Sequence, residues 1–397
     1  MPPSGDRHRL GDRHGLVERM QPFTTTVFAE MSQLAEETGS INLGQGFPDT
    51  DGPGLVLDAA AAAIRAGANQ YPPGAGVGVL RAAVAVHQRD CYGLDYDPED
   101  EILVTAGATE GIAASLLALC EPGDEVVLFE PFYDSYPACV AMAGAVARVV
   151  PLRPPDWTFD PDELAAAVTP RTRLVLCNSP HNPTGKVFGP DELGVIARLC
   201  CERDLLALTD EVYEHLVFDG RHVPLATLPG MATRTVTLSS GGKTFSVTGW
   251  KVGWACGPAP LVAAVRAVKQ FLTYAGGTPF QHAVAAGLAA APGLVEPLCR
   301  ALADQRDLLC DGLEKVGLRV YRPAATYFVM TDVASIGEED GIAFCRSLPA
   351  RCGVVAVPSA VFYRQPEEGA SLVRWAFCKR PEVLGAALAR LESLGPR

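Results

Sequence analysis

Through its middle the chain alternates short apolar runs with stretches of helical periodicity, and no other feature restricts the fold as much. The runs are residues 101–106 (EILVTA), 124–130 (DEVVLFE), 173–177, 205–209 and 235–238, and helical patterns separate them, one continuing to residue 120 and another covering 191–203. A strand that is apolar at nearly every position needs cover on both faces, which repeated strand–helix–strand units provide by laying parallel strands between two helical layers. After Gln270 the pattern changes to longer helices, notably 293–316, with short strand-like runs near 318–320, 327–331 and 372–378. The expected architecture is α/β, a mostly parallel sheet sandwiched by helices plus a smaller α+β domain. In residue terms this gives a flexible tail at 1–20, an N-terminal arm and small-domain segment at 21–50, a large domain at 51–290 and a small C-terminal domain at 291–397.

Ligands of open α/β sheets gather outside the carboxyl ends of the strands, so the residues that follow each apolar run are the candidates for chemistry. Lys243 stands just past the run at 235–238, in the segment SSGGKTFSVTGWKVGW, and the run LLALTD ends on Asp210. An aldehyde cofactor needs both groups: an amine to hold its carbonyl carbon, and a carboxylate to keep a pyridine nitrogen protonated as an electron sink. That pair points to pyridoxal 5′-phosphate. Gly107, Ala108 and Thr109 lie where the run at 101–106 turns into a helix, so free backbone N–H groups and the helix dipole would face one anion there. Ser240 and Lys251 could add a hydroxyl and a cation. The Pro-rich turn SPHNPTG at 179–185 would aim Asn182 at the sheet edge.

Size and charge exclude several classes. With 397 residues, 48% hydrophobic and 20% charged, the chain can bury more than one core. A net charge of −13 argues against nucleic acid as a partner. No stretch is long and apolar enough to span a bilayer, and residues 1–21 lack the apolar centre of a signal peptide, so we expect a cytoplasmic protein with no membrane partner. The 12 cysteines are scattered without a C-x-x-C pair, which reads as reduced thiols. The histidines lack metal-ligand spacing, and His8 and His14 fall in a duplicated GDRH tetrapeptide within the tail. No metal site is expected.

Several ordered motifs carry a family likeness: NLGQGFPD at 42–49, NQYPPG at 69–74, EPFYDSY at 130–136, PHNPTG at 180–185, TDEVY at 209–213, GKTFSVTGWKVGW at 242–254 and VRWAFCK at 373–379. On these the chain resembles the class I/II, fold-type I pyridoxal-phosphate aminotransferases, within them the kynurenine, methionine and succinyldiaminopimelate aminotransferase group. The resemblance implies that Lys243 is the Schiff-base lysine and later the acid–base group of the 1,3-proton shift. It implies that Asp210 partners the pyridinium, that Asn182 and Tyr213 hydrogen-bond the ring hydroxyl, and that Tyr133 stacks on the ring. Gly107, Ala108, Thr109, Ser240 and Lys251 correspond to the phosphate cup, and Tyr71 to a tyrosine that reaches the phosphate from the second subunit of a homodimer with shared active sites. Arg374 corresponds to the arginine that grips the substrate α-carboxylate, with Gly46 closing over it and Phe23 edging the substrate pocket. A planar guanidinium suits a carboxylate better than an ammonium does.

The same resemblance implies transfer of an amino group from an L-amino acid to a 2-oxo acid such as 2-oxoglutarate. Thr109 and Gly276–Gly277 stand where relatives that prefer aromatic donors carry bulkier residues, implying a roomier pocket. The combination of GATE at 107–110 with GGTPFQ at 276–281 resembles the succinyldiaminopimelate enzymes, whose donor has a long acidic side chain. The alternative on the same scaffold is β- or γ-elimination, replacement or carbon–carbon bond formation on an amino acid, which would use Lys243 and Asp210 equally.

Overall fold

The computed structural model describes residues 15–23 and 27–394. Most of the tail expected at 1–20, with His8 and His14, lies outside the described residues. The strands in chain order are β1 (Ile41–Asn42), β2 (Ile102–Thr105), β3 (Glu125–Glu130), β4 (Val146–Pro151), β5 (Thr172–Asn178), β6 (Leu206–Asp210), β7 (Thr235–Ser240), β8 (Gly253–Cys256), β9 (Arg319–Tyr321), β10 (Phe328–Asp332), β11 (Val354–Val355), β12 (Val357–Pro358) and β13 (Leu372–Ala376).

Seven of these form one sheet in the order β2-β8-β7-β6-β5-β3-β4. The pairs β3–β4, β3–β5, β5–β6 and β6–β7 are parallel, whereas β8 runs antiparallel to both β2 and β7. The parallel centre follows from the apolar runs: β3 and β7 are buried at every position, as helices on both faces require. Two strands of this sheet had no counterpart in the sequence reading, nor did the two-residue strands β1, β11 and β12. β4 is an edge strand exposed or half-buried over most of its length, and β8 is a four-residue GWAC segment that begins on glycine, a weak strand former. The register sets the site. Asn178 pairs with Asp210 and Asp210 with Leu238, so β5, β6 and β7 end side by side and the chain beyond each end enters the same space.

A second, antiparallel sheet has the order β12-β13-β10-β9, with Arg374 of β13 between Met330 and Val357. The parallel pair β1–β11 joins residues 41–42 to this C-terminal part of the chain. Sequence explains the helix boundaries as well. The helix Pro190–Glu202 starts on Pro190, and the Gly189 N–H donates to Glu192 Oε2 at 3.1 Å. Asp340 caps the helix Gly341–Cys352 by accepting from the N–H groups of Ile342 and Ala343. All 12 cysteines are free thiols. Among the described residues no single helix is long and apolar enough to cross a membrane.

Candidate active site

A cavity of about 390 Å³ opens at the carboxyl ends of β5, β6 and β7. Of the residues singled out from the sequence, Gly46, Gly107, Ala108, Thr109, Tyr133, Asn182, Asp210, Tyr213, Ser240, Lys243, Lys251 and Arg374 all line it. Two do not. Tyr71 is 79% exposed with its ring edge-on to Tyr274, and the aromatic residue that lines the cavity near the amino terminus is Phe28 rather than Phe23. Phe23 ends the turn Glu18–Phe23, while Phe28 sits on the helix Val27–Thr38 that packs over the cavity. Gly276 and Gly277 also lie outside the lining; Gly277 instead takes a left-handed conformation before the helix Thr278–Ala289.

One end of the cavity is built for an anion. The helix Gly107–Leu119 presents its first N–H groups, and Glu110 Oε2 accepts from the Ala106 N–H at 2.6 Å, leaving the turn itself open. A side chain at Gly107 would come within 3.1 Å of Lys251 Nζ, so the ammonium lies over the turn. Gly253 matters for the same reason: a Cβ there would press to 2.7 Å of the Gly107 carbonyl carbon. Ser240 caps the short helix Gly241–Thr244 that carries Lys243, accepting from the Gly242 N–H at 3.1 Å.

Deeper in the cavity lie a base and an acid whose affinities for protons converge. Burial pushes the Lys243 ammonium down from 10.5 to about 8, although Cys378 and Asp210 oppose this. Burial lifts Asp210 from 3.8 to about 6, against the hydrogen bonds it accepts from the Tyr136 hydroxyl and the Val212 N–H. The Tyr136 bond is 2.7 Å long and the Val212 bond 3.3 Å. Lys243 Nζ donates to the Tyr327 hydroxyl at 2.8 Å. Neither Tyr136 nor Tyr327 was singled out from the sequence. Tyr136 stands in the quoted EPFYDSY motif and Tyr327 at the start of a strand-like run, so each was visible as a residue but not as a partner.

Arg374 is the most unusual group. It is 1% exposed, and its guanidinium lies over the rings of Phe28, Phe328 and Phe362 at 4.9, 4.0 and 5.0 Å. It donates to Asn182 Oδ1 and to the Gly44 carbonyl, both at 3.0 Å, and its Nε has no partner. None of the ion pairs among the described residues includes it. Burial lowers its proton affinity to about 10, still far above neutrality, so it stays charged. A buried cation without a carboxylate is costly unless an anion arrives to meet it.

Folding also gathers His87, Glu214 and His215, whose ligand-type atoms lie within 4.8 Å of one another, a grouping that sequence spacing did not reveal. Each is already partnered: the two imidazoles meet Nε2 to Nε2 at 2.9 Å, and Glu214 accepts from Tyr92 at 2.6 Å and from Ser239.

Comparison with known proteins agrees with this geometry. A family model described as aminotransferase class I and II matches residues 38–391. A probable N-succinyldiaminopimelate aminotransferase of Mycobacterium tuberculosis is 52% identical over 392 residues, covering 96% of this chain and 99% of that protein. The methionine aminotransferase of Escherichia coli is 39% identical over 371 residues, covering 93% and 96%. The solved structure of the N-succinyldiaminopimelate aminotransferase of M. tuberculosis superposes with a TM-score of 0.94 at 53% identity, covering 96% of this chain and all of that one.

Proposed function

From the premise that this chain belongs to the class I and II aminotransferases and is an enzyme of amino-group transfer, we propose that it takes a long acidic L-amino acid of the N-succinyl-diaminopimelate type as donor and 2-oxoglutarate as acceptor. The relatives' activities do not favour elimination or replacement. The 52% identity to a protein of that description supports the donor class. So does Thr109, a small side chain on the cavity wall. A screen of donors with 2-oxoglutarate tests this. The succinylated acidic donor should exceed methionine and kynurenine in kcat/KM, and a preference for either of those would overturn the assignment.

The cofactor belongs to the same proposal. Pyridoxal 5′-phosphate fits the residues present: an anion cradle at one end, a lysine amine of lowered proton affinity beside it, and a buried carboxylate opposite. When bound, it supplies an electron sink for the carbanion formed at the donor Cα. Gly107, Ala108, Thr109, Ser240 and Lys251 would hold its phosphate, Lys243 its carbonyl carbon and Asp210 its ring nitrogen, with Asn182 and Tyr213 at the ring hydroxyl and Tyr133 against the ring. Arg374 would fix the donor α-carboxylate with Gly46 beside it, and its buried guanidinium, in none of the ion pairs among the described residues and facing the same cavity as Lys243 and Asp210, is the observation that carries this reading. Lys243, neutral above about pH 8, would then accept the Cα proton and return it to the other carbon of the 1,3-shift, across the nitrogen.

The proposal extends to assembly and place. Tyr71, 79% exposed with Tyr274 edge-on beside it, is an exposed aromatic pair suited to a second copy of the chain, and Phe271, three residues before Tyr274, is 84% exposed. In a homodimer Tyr71 would reach the partner's phosphate site. The division into an arm at 21–50, a large domain at 51–290 and a small domain at 291–397, and a cytoplasmic location, complete this reading.

A further inference from the structure

We infer that Tyr327 is a positioning residue for the proposed reaction, its hydroxyl being the partner that holds the Lys243 amine while that amine carries a proton. The inference rests on Lys243 being the acid–base group proposed above.

The hydrogen-bond directions are fixed by counting protons. A phenol has one, and the Tyr327 hydroxyl gives it to the Gly46 carbonyl oxygen at 2.6 Å. Its lone pairs are left to accept from Lys243 Nζ at 2.8 Å. The amine lies farther from Gly46 itself, at 3.5 Å from the same carbonyl oxygen. With one N–H held by Tyr327 and the Gly46 carbonyl beside it, the rotation of the amine is restricted.

The tyrosine is itself immobilised. It is 1% exposed, with Tyr213 edge-on at 5.3 Å between ring centroids and Phe328 at 4.9 Å. Burial and the neighbouring Tyr213 raise its proton affinity well above the ordinary phenol value, so the hydroxyl stays neutral. Gly46 supplies an independent observation. A Cβ there would stand 2.3 Å from Phe328 Cζ and 3.2 Å from Tyr327 Cε2, so only glycine lets this backbone approach the hydroxyl. The loop beside the cavity and the reacting amine therefore share one oxygen atom.

In the proton shift, the donor Cα–H bond would break with its proton joining the Lys243 lone pair to give an ammonium, the bond's electron pair going to the electron sink that a bound cofactor would supply. The ammonium then delivers the same proton to the second carbon and returns to the neutral amine. Tyr327 neither gains nor loses a proton. It accepts from the nitrogen throughout, more strongly when that nitrogen is charged.

Tyr327→Phe tests this, because phenylalanine keeps the ring contacts and removes only the hydroxyl. The first readout is the pH dependence of Lys243 labelling by an aryl fluoride, followed by peptide mass spectrometry, in the full-length protein before cofactor is added. Losing an acceptor that favours the ammonium should lower the half-labelling pH by roughly 0.5–1 unit. The second readout is the donor half-reaction of the loaded enzyme with protiated and Cα-deuterated donor. Its maximal rate should fall about 10- to 100-fold and the isotope effect should rise, with donor affinity changed less than about threefold. A half-labelling pH within about 0.2 unit of the parent's, or a half-reaction within about twofold, overturns the inference. Lys243→Ala separates the two levels: if it retains parental turnover, the acid–base reading falls and Tyr327 with it. If Lys243→Ala is inactive and Tyr327→Phe is silent, only Tyr327 is wrong.

Discussion

The Tyr136 hydroxyl donates to Asp210 Oδ2 at 2.7 Å, tying the carboxylate that ends β6 to the helix Ser135–Met142. Both residues are buried. The bond offsets part of the cost of keeping an ionised carboxylate away from water, a cost that lifts Asp210 from 3.8 to about 6.

The pH dependence of stability follows with a definite sign. A carboxyl whose proton affinity is raised by folding contributes stability that is fully present below pH 3.8 and is lost as pH rises through about 6. Tyr136→Phe removes a donor to the charged form only. It should therefore cost about 1.5–3 kcal/mol at pH 8 and clearly less at pH 4, where the carboxyl is protonated. Denaturant unfolding of the cofactor-free protein at the two pH values measures this, and an equal loss at both would contradict it.

Much of the site was legible because it follows directly from strand ends. Asp210 closes an apolar run, Ser240 and Lys243 follow another, and Gly107 opens a helix after a third, so chain order and spatial order coincide. Tyr136 and Tyr327 were not legible as partners, since 74 residues separate Tyr136 from Asp210 and 84 separate Lys243 from Tyr327. Tyr327 reaches the amine because the segment before it is bonded to the loops beyond β5 and β6, Ala325 N–H to the Gly185 carbonyl at 2.9 Å and Thr326 N–H to the Leu216 carbonyl at 2.8 Å. Phe28 was missed in favour of Phe23 because the two rings stand only five residues apart, and it is the local path, a turn ending at Phe23 and a helix beginning at Val27, that puts Phe28 on the cavity. The antiparallel strand β8 was hidden by its length and its glycine.

Arg374→Ala should weaken every amino-acid donor, because the α-carboxylate is common to all of them. Truncating one member of a charge-assisted pair costs about 2–5 kcal/mol, so kcat/KM should fall by roughly 30- to 5000-fold. A loss confined to one donor would move Arg374 from the α-carboxylate to a side-chain contact.

Tyr71 tests the shared active site. With the chain as a homodimer, Tyr71→Phe should leave the assembly intact and weaken cofactor retention about 3- to 30-fold, the loss of one hydrogen bond to a phosphate. Sedimentation together with cofactor dissociation rates checks both halves. Full activity of a monomer at assay concentration would show that Tyr71 has no such role.

The most direct measurement is of the covalent bond to Lys243. The purified protein with pyridoxal 5′-phosphate should absorb in the visible, and borohydride reduction followed by digestion should leave the cofactor mass on the peptide that contains Lys243. Lys243→Ala should lose both the absorption and the reducible link while keeping a measurable phosphate-dependent affinity through Lys251, Ser240 and the Gly107 turn. A cofactor mass that remains covalently attached in Lys243→Ala, or one found on another lysine of the parent protein, would contradict the assignment.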